Sequence, residues 1–155
     1  MSRPIELASD LAADGAAVWQ HAGSMPGVNQ ELMPLVRMTY PAGAESLEGI
    51  DVPLGETLFS SVLLLGGVLP FDVHFLRLLS VESGRGFDEH SSSLMHSDWL
   101  HTRTLESLPG GGCRVRDAVD FMPRLPFLKP LLVPVVRAVF RWRHRRLRKK
   151  FGALR

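Results

Sequence analysis

Trp99, His101 and Arg103 form a group whose side-chain types suit acid–base chemistry. In an extended strand they point to one face, because side chains alternate with a period of two residues. Asp117 lies on the next predicted strand across a glycine turn, and a histidine oriented by a carboxylate can serve as a general base. The alternative is a structural histidine beside an ion pair of Arg103. We favour that alternative because structural ion pairs bring the same groups together. The strand register, which the sequence leaves open, decides whether His101 and Asp117 meet.

His74 is a second candidate for a polar group inside the protein. On a strand it shares a face with Leu76, Leu78 and Glu82, and Glu89 lies on the following strand. Facing inward among apolar side chains, it would bind the polar end of a ligand. The alternative, which we favour, is one hydrogen-bonded histidine of the core or surface, because a single polar group on an apolar face is common.

The sequence gives little support for a metal site, a nucleophile motif or a phosphate-binding loop. None of the six histidines forms a close pair with another histidine or with Cys113 at a zinc-type spacing, so we expect no metal and no cofactor. The sequence has no Gly-x-Ser-x-Gly nucleophile motif. The GGG at 110–112 lacks the lysine and the following helix of a phosphate loop, and it fits a hairpin turn between strands.

The predicted strands and helices that would carry these residues follow a simple order. A strand at 3–9 precedes two short helices, the first at 11–22 and the second between Ser24 and Pro34; a strand at 35–40 and a loop at 41–56 follow. Five strands with glycine-rich turns then predict an antiparallel meander, at 58–65, 72–82, 86–94, 98–107 and 113–122. A long helix at 131–151 carries an apolar stripe. The fold class is therefore α+β, a curved antiparallel sheet with one long C-terminal helix over a cavity.

Six segments carry a recognisable pattern: LPFD at 69–72, GFDE at 86–89, WLH at 99–101, GGG at 110–112, VRDAVDF at 115–121 and VRAVF at 136–140. With the order of elements, they resemble the START-like superfamily, also called SRPBCC, in its polyketide cyclase/dehydrase-like and Bet v 1-like bacterial ligand-binding branch. The resemblance covers essentially residues 1–155 as one domain and implies the helix-grip fold. It implies a cavity under the long helix and binding of an apolar or amphipathic small molecule, and it transfers no catalytic residue.

The predicted cavity lining combines strand and helix residues, with His101 and Arg103 as its polar members. The apolar members are Phe75, Phe87, Trp99, Val115, Phe121, Val136, Val139 and Phe140. We expect binding of a lipid-, polyketide- or isoprenoid-like molecule without chemical change, driven by burial of apolar ligand surface. The competing hypothesis is a cyclase or dehydratase that uses His101 or His74 as its base. The loop at 41–56 either borders the cavity mouth or lies on the surface.

Charge is distributed very unevenly along the chain. Residues 1–136 hold 16 acidic and nine basic side chains, a net charge of −7, whereas residues 137–155 hold nine basic side chains and no acid. Three interpretations of the basic segment compete: a solvated helix face, a helix that lies on an anionic membrane, and a nucleic-acid contact. We favour the solvated face, keep the membrane as the main alternative and rank nucleic acid last. The candidate membrane contacts are Arg141, Arg145, Arg148 and Lys149, with Leu147, Phe151 and Leu154 as the accompanying apolar residues.

The remaining composition predicts a cytoplasmic location, with a peripheral membrane position as the alternative. A single cysteine, Cys113, is typical of a reducing compartment. The N-terminus lacks the apolar core of a signal peptide. The longest uncharged run, Thr57 to Phe71, has 15 residues and is interrupted by glycine and proline, which is short for a membrane span of about 20 residues.

Overall fold

A computed structural model describes residues 3–48 and 51–154, so residues 49 and 50 of the predicted loop and Arg155 of the basic segment lie outside the described residues. The elements follow the order strand, two helices, six strands and one long helix. Their bounds are β1 Ile5–Leu11, α1 Gly15–Ala22, α2 Met25–Leu32, β2 Val36–Met38, β3 Thr57–Leu65, β4 Leu69–Glu82, β5 Gly86–Ser93, β6 His96–Ser107, β7 Cys113–Pro123, a short 3-10 helix Pro126–Leu128, and α3 Lys129–Phe151.

All seven strands belong to one antiparallel sheet with the order β1-β7-β6-β5-β4-β3-β2. Consecutive strands from β2 to β7 are neighbours, which is the predicted meander, and β1 closes the far edge by pairing with β7. The sheet curls around α3, which packs on it. The predicted α+β helix-grip architecture is confirmed.

The two short helices begin where their capping residues dictate. The side chain of Asp14 accepts from the amide of Ala17 (2.9 Å), and α1 therefore begins at Gly15. The predicted helix at 11–22 started too early, because Leu11 is the fully buried last residue of β1. Ser24 caps α2 in the same way, with Pro26 in the first turn.

Strand β2 is shorter than the predicted strand at 35–40. The side chain of Asn29 on α2 pairs with both backbone groups of Met38, donating to its carbonyl (3.0 Å) and accepting from its amide (2.8 Å). This contact fixes α2 beside β2 at the edge of the sheet, and the amide of Thr39 still donates to the carbonyl of Val62 on β3 (3.1 Å).

Two apolar clusters hold α3 against the sheet. One surrounds the distal end of the helix, where Leu147 packs with Leu11 and Val115. The other surrounds its middle, where Val136 and Phe140 pack with Phe121. Burial at these clusters is the main force that closes the fold, since apolar surface contributes roughly 25 cal/mol per Å² removed from water.

Candidate ligand cavity and its buried polar network

A cavity of about 720 Å³ lies between the concave face of the sheet and the proximal half of α3. Aliphatic and aromatic side chains of β2 to β6, α2 and α3 form most of its wall. Six polar side chains of the strands and of α3 also face it: Asp72, His74, Glu89, His96, His101 and Arg143. The interior is therefore an apolar chamber with a polar region on one wall.

The predicted lining residues divide into two groups. Six of them line the cavity: Phe87, Trp99, His101, Val136, Val139 and Phe140. Four others, Phe75, Arg103, Val115 and Phe121, do not.

The four exceptions have structural explanations. Phe75 falls on the opposite face of β4 from the lining residue His74, because neighbouring strand residues alternate. Val115 and Phe121 do face inward, but they belong to the packed clusters under α3, where no space remains. Arg103 faces inward and is 1% exposed, enclosed by ion pairs. The prediction of these four as cavity wall is therefore wrong.

Asp117 is the centre of a buried polar network. Its carboxylate accepts from Nε2 of His101 (2.7 Å), from Nε and Nη2 of Arg103 (both 2.8 Å) and from Nε2 of His144 on α3 (2.7 Å). Burial alone would raise the pKa of Asp117, but the charge and hydrogen bonds of Arg103 outweigh it and hold this pKa well below the usual value. The structure thus brings His101 and Asp117 together.

Glu31 on α2 is the second carboxylate of the network. Its carboxylate accepts hydrogen bonds from both terminal nitrogens of Arg103 (2.9 and 2.8 Å) and from Nε of Arg143 (3.1 Å). Nε2 of His21 lies 3.4 Å away. Burial opposes ionisation, yet the two guanidinium charges lower the pKa of Glu31 far below its usual value. One carboxylate therefore joins α1, α2, β6 and α3.

Glu89 on β5 is the third carboxylate, and it faces the cavity. It accepts from Nε2 of His74 (2.6 Å) and from the hydroxyl of Ser91 (2.6 Å), and Nδ1 of His101 lies 3.6 Å from it. Burial works against its charge, but the hydrogen bonds of His101 and His74 lower the pKa of Glu89. The predicted partner Glu82 is exposed and lies near Arg85 (4.0 Å), so it takes no part.

His101 lies between two carboxylates, Asp117 and Glu89. Burial would lower its pKa, but the hydrogen bond and charge of Asp117 and the hydrogen bond to Glu89 raise it. Both ring nitrogens of His101 therefore face carboxylates, Nε2 at 2.7 Å from Asp117 and Nδ1 at 3.6 Å from Glu89.

Sequence reasoning missed Glu31, His21, Arg143 and His144. A signal was present for the last two. Arg143 and His144 fall three and four residues after Phe140 and before Leu147, on the stripe that α3 buries. The interpretation of the whole basic segment as a solvated helix face overlooked that these two side chains are buried. No comparable signal marks Glu31, whose burial depends on how α2 packs against the sheet.

The loop at 41–48 forms part of the cavity wall through Ala44, Glu45, Ser46 and Leu47. Backbone hydrogen bonds fix it to the start of α2, from the amide of Met25 to the carbonyl of Glu45 (2.7 Å) and from the amide of Leu47 to the carbonyl of Gly23 (2.8 Å). The sequence left open whether this loop borders the cavity or lies on the surface, and its described part borders the cavity.

Within residues 3–48 and 51–154, no cluster of three histidine, cysteine, aspartate or glutamate side chains is arranged to hold a metal ion. Nor does any helix of that part have the length and hydropathy needed to cross a bilayer.

The curled sheet, the long closing helix and the cavity between them are those of the START-like helix-grip fold. The chain belongs to the family described as a domain of unknown function, DUF8410, whose pattern matches residues 9–151. No curated protein matches the sequence.

Solved structures with the same fold include protein CV1439 from Chromobacterium violaceum, with 13% identity and a TM-score of 0.70 over 99% of this chain and 100% of that one. A START superfamily protein from Mycobacterium smegmatis has 10% identity and a TM-score of 0.68 over 97% of each chain. DynU16, a protein from the dynemicin biosynthetic locus, has 12% identity and a TM-score of 0.58 over 99% of this chain and 49% of that one. Likeness at these identities shows the fold alone.

Proposed function

We propose that this protein binds an apolar or amphipathic small molecule in the cavity and releases it unchanged. The cavity of about 720 Å³ between the sheet and α3 carries this proposal. Its volume lies within the range of roughly 300–1,000 Å³ that small-molecule sites occupy, and its wall is mainly apolar. Ligand binding would be driven by removal of apolar surface from water, with the polar wall fixing the orientation.

Arg143 is the proposed anchor for the polar end of the ligand. It is a 6% exposed side chain that lines the cavity, and its guanidinium carbon lies 5.0 Å from the centroid of Phe140. Its Nε donates to Glu31, but no side chain or carbonyl of the described residues accepts from its two terminal nitrogens. Because this guanidinium borders the cavity, a ligand oxygen at this point would gain a charge-assisted hydrogen bond.

We further propose that this ligand oxygen belongs to a carboxylate. Glu31 is shared between Arg103 and Arg143, and Arg103 is also paired with Asp117, so Arg143 is the guanidinium with terminal N–H groups left for a ligand. The free edge of Arg143 presents paired N–H groups that match the two oxygens of a carboxylate. The ligand class is then an apolar carboxylic acid such as a fatty, isoprenoid or polyketide-derived acid, which agrees with the branch of the superfamily that the sequence resembles.

The experiment compares two tryptophan substitutions on the same strand. Leu76→Trp adds volume to the cavity wall, whereas Leu79→Trp alters an exposed leucine that does not line the cavity. Binding of the fluorophore anilinonaphthalene sulfonate and the yield of apolar compounds extracted from purified protein are measured for both. We expect Leu76→Trp to abolish both signals and Leu79→Trp to retain them. Equal signals from both variants, or none from the unaltered protein, would reject the proposal.

A cyclase- or dehydratase-like enzyme is the second candidate function, because the imidazoles of His74 and His101 and the carboxylate of Glu89 line one cavity. His74 is the better base of these two, since Glu89 holds its Nε2 at 2.6 Å while His101 faces carboxylates with both nitrogens. Occurrence of the fold in a protein of the dynemicin biosynthetic locus agrees with this candidate. His74→Asn would abolish turnover of a polyketide-like substrate and leave ligand binding intact. Unchanged turnover in that variant would eliminate His74 as the base.

We also propose a cytoplasmic location. Cys113 is a buried free thiol whose pKa is raised by burial, so it is an inert part of the core and agrees with a reducing compartment.

A further inference from the structure

Three segments at one end of the sheet, 65–71, 94–95 and 125–135, contribute exposed residues to the cavity wall, and we take this end as the mouth of the cavity. Antiparallel strands reverse direction at each turn, so the β3–β4 turn, the β5–β6 turn and the exit from β7 lie at the same end. Hydrogen bonds join them, from the amide of Leu94 to the carbonyl of Val73 (3.1 Å) and from the amide of Arg124 to the carbonyl of Met95 (2.9 Å). We call these three segments the apolar rim.

The apolar rim carries the most exposed large apolar side chains of the described residues. Val68 is 81% exposed, Phe127 72%, Leu131 69% and Leu94 61%. Single exposed leucines are ordinary, but a concentration at one place marks an interaction surface. The rim is also continuous with the interior, because Phe71 and Met95 are exposed and line the cavity.

The charges of the apolar rim have one sign. The three rim segments contain no aspartate or glutamate, and their one cation, Lys129, pairs with the neighbouring Asp120 (2.9 Å). Two exposed arginines lie at the bases of the two turns, where Nε of Arg37 donates to the carbonyl of Gly67 (3.3 Å) and Nε of Arg124 donates to the carbonyl of Ser93 (3.0 Å). Protruding aliphatic and aromatic side chains flanked by arginine match the boundary of an anionic bilayer, where acyl chains lie beneath negative headgroups.

We infer that the apolar rim docks on an anionic lipid bilayer, with the mouth of the cavity against the membrane. An apolar ligand then passes between the bilayer and the cavity without crossing water. The docking itself does not depend on the ligand proposal, since it rests on the exposed side chains and charges of the rim.

This surface differs from the membrane contact that the sequence suggested. Arg145 and Lys149 are exposed as expected, but Leu147 is fully buried under β1 and β7 and is not free to enter a bilayer. The distal end of α3 lies at the opposite end of the sheet, beside Leu11 and Asp10. The distal basic helix therefore offers cations, whereas the rim offers both cations and apolar groups.

Vesicle co-sedimentation of four proteins tests the inference. The unaltered protein is compared with Val68→Ser/Phe127→Ser in the rim, with Leu54→Ser/Leu79→Ser as a matched pair of exposed leucines elsewhere, and with Arg145→Gln/Lys149→Gln on the distal helix. Vesicles contain phosphatidylcholine alone or an equal mixture with phosphatidylglycerol. Thermal unfolding of each variant verifies that it folds, and mass photometry gives its oligomeric state.

We expect binding to the mixed vesicles to exceed binding to phosphatidylcholine, and the rim pair to weaken it at least about tenfold. The leucine pair should bind within about twofold of the unaltered protein. A loss of binding only in the distal-helix pair would overturn the inference in favour of that helix. A dimer that the rim pair dissociates, without vesicle binding by the unaltered protein, would overturn it in favour of a second copy of the chain.

Discussion

Nε2 of His144 donates to the carboxylate of Asp117 across 2.7 Å, so α3 is attached to the sheet by a buried charged hydrogen bond as well as by apolar packing. Both side chains are at most 2% exposed. The contact fixes the rotation of the helix about its axis, because it places Arg143 toward Glu31 and leaves the next residue, Arg145, in water. The position of the ligand anchor therefore depends on a residue that does not itself touch the cavity.

Replacing Asp117 with asparagine should destabilise the protein strongly. Arg103, His101 and His144 would each lose a buried anionic partner, and removal of one partner from a buried ion pair costs about 3–5 kcal/mol. Urea unfolding followed by circular dichroism measures the loss. Glu106→Gln is the control, because Glu106 and Arg116 are both more than half exposed at 3.8 Å and should change stability by less than about 0.5 kcal/mol. Equal effects of the two substitutions would show that the network is not stabilising.

Stability should decline on both sides of mildly acidic pH. Glu31, Glu89 and Asp117 have lowered pKa values in the folded state, so their contribution is present above the unfolded values of 4.5 and 3.8 and is lost as the pH falls below them. His101 has a raised pKa, so its contribution is complete below 6.5 and is lost as the pH rises through the folded value. Urea unfolding from pH 3 to pH 9 should therefore show a maximum free energy of unfolding between about pH 5 and 6.5.

His101→Gln tests the alkaline side of this profile. Without the imidazole, the decline above pH 6.5 should become shallower. The acid side remains, because Asp117 and Glu31 are still paired with Arg103 and Arg143, and Glu89 with His74. An unchanged alkaline decline would assign it to another group.

Arg143 should determine whether the protein prefers an acid over its ester. A charge-assisted hydrogen bond contributes about 1.5–3 kcal/mol, so a long-chain acid should bind roughly ten- to a hundredfold more tightly than its methyl ester. Arg143→Met should remove this preference and leave ester binding within about threefold. Arg141→Met, on the exposed side of the same helix, should retain it. Competition with a fluorescent probe measures both ligands, and a preference that survives in Arg143→Met would place the anchor elsewhere.

Alanine substitutions at Gly27 and at Gly15 should have opposite effects on the free energy of unfolding. A Cβ at Gly27 would lie 1.8 Å from the carbonyl oxygen of His21, so α1 and α2 would have to separate and Glu31 would move. We expect a loss of at least about 2 kcal/mol in urea unfolding, with weaker ligand binding. Gly15 has no atom within 4 Å of an added Cβ and begins α1, so alanine should stabilise by up to about 1 kcal/mol.

The order of strands and helices could be predicted from the sequence because local signals determine it. Glycine turns such as Gly66–Gly67 and Gly110–Gly112 separate the strands, and apolar residues at three- and four-residue steps reveal α3. The position of Leu11 was misjudged because a capping aspartate three residues later, Asp14, outweighs alanine-rich helix propensity.

The polar network was less accessible to sequence reasoning. His101 and Asp117 could be paired as a hypothesis because they lie on adjacent strands, but Glu31 reaches Arg103 from 72 residues away. Such a contact depends on the packing of α2 over the sheet, which no local pattern encodes. The buried stripe of α3 continues through the basic segment, and following it would have predicted that Arg143 is buried. The assumption that every cation of the segment is solvated concealed this.

The attachments of α3 are concentrated toward its C-terminal end. There, Ala12 donates to the carbonyl of Gly152 (2.8 Å) and Leu154 donates to that of Asp10 (3.0 Å), beyond the buried ion pairs in the middle of the helix. The proximal turns contain Pro130 and Pro134, which lack an amide hydrogen. We therefore expect any opening of α3 to begin at the proximal turns, with the C-terminal end as the hinge. Amide hydrogen exchange would decrease steadily from the proximal to the distal end of α3, and the gap would open beside the apolar rim.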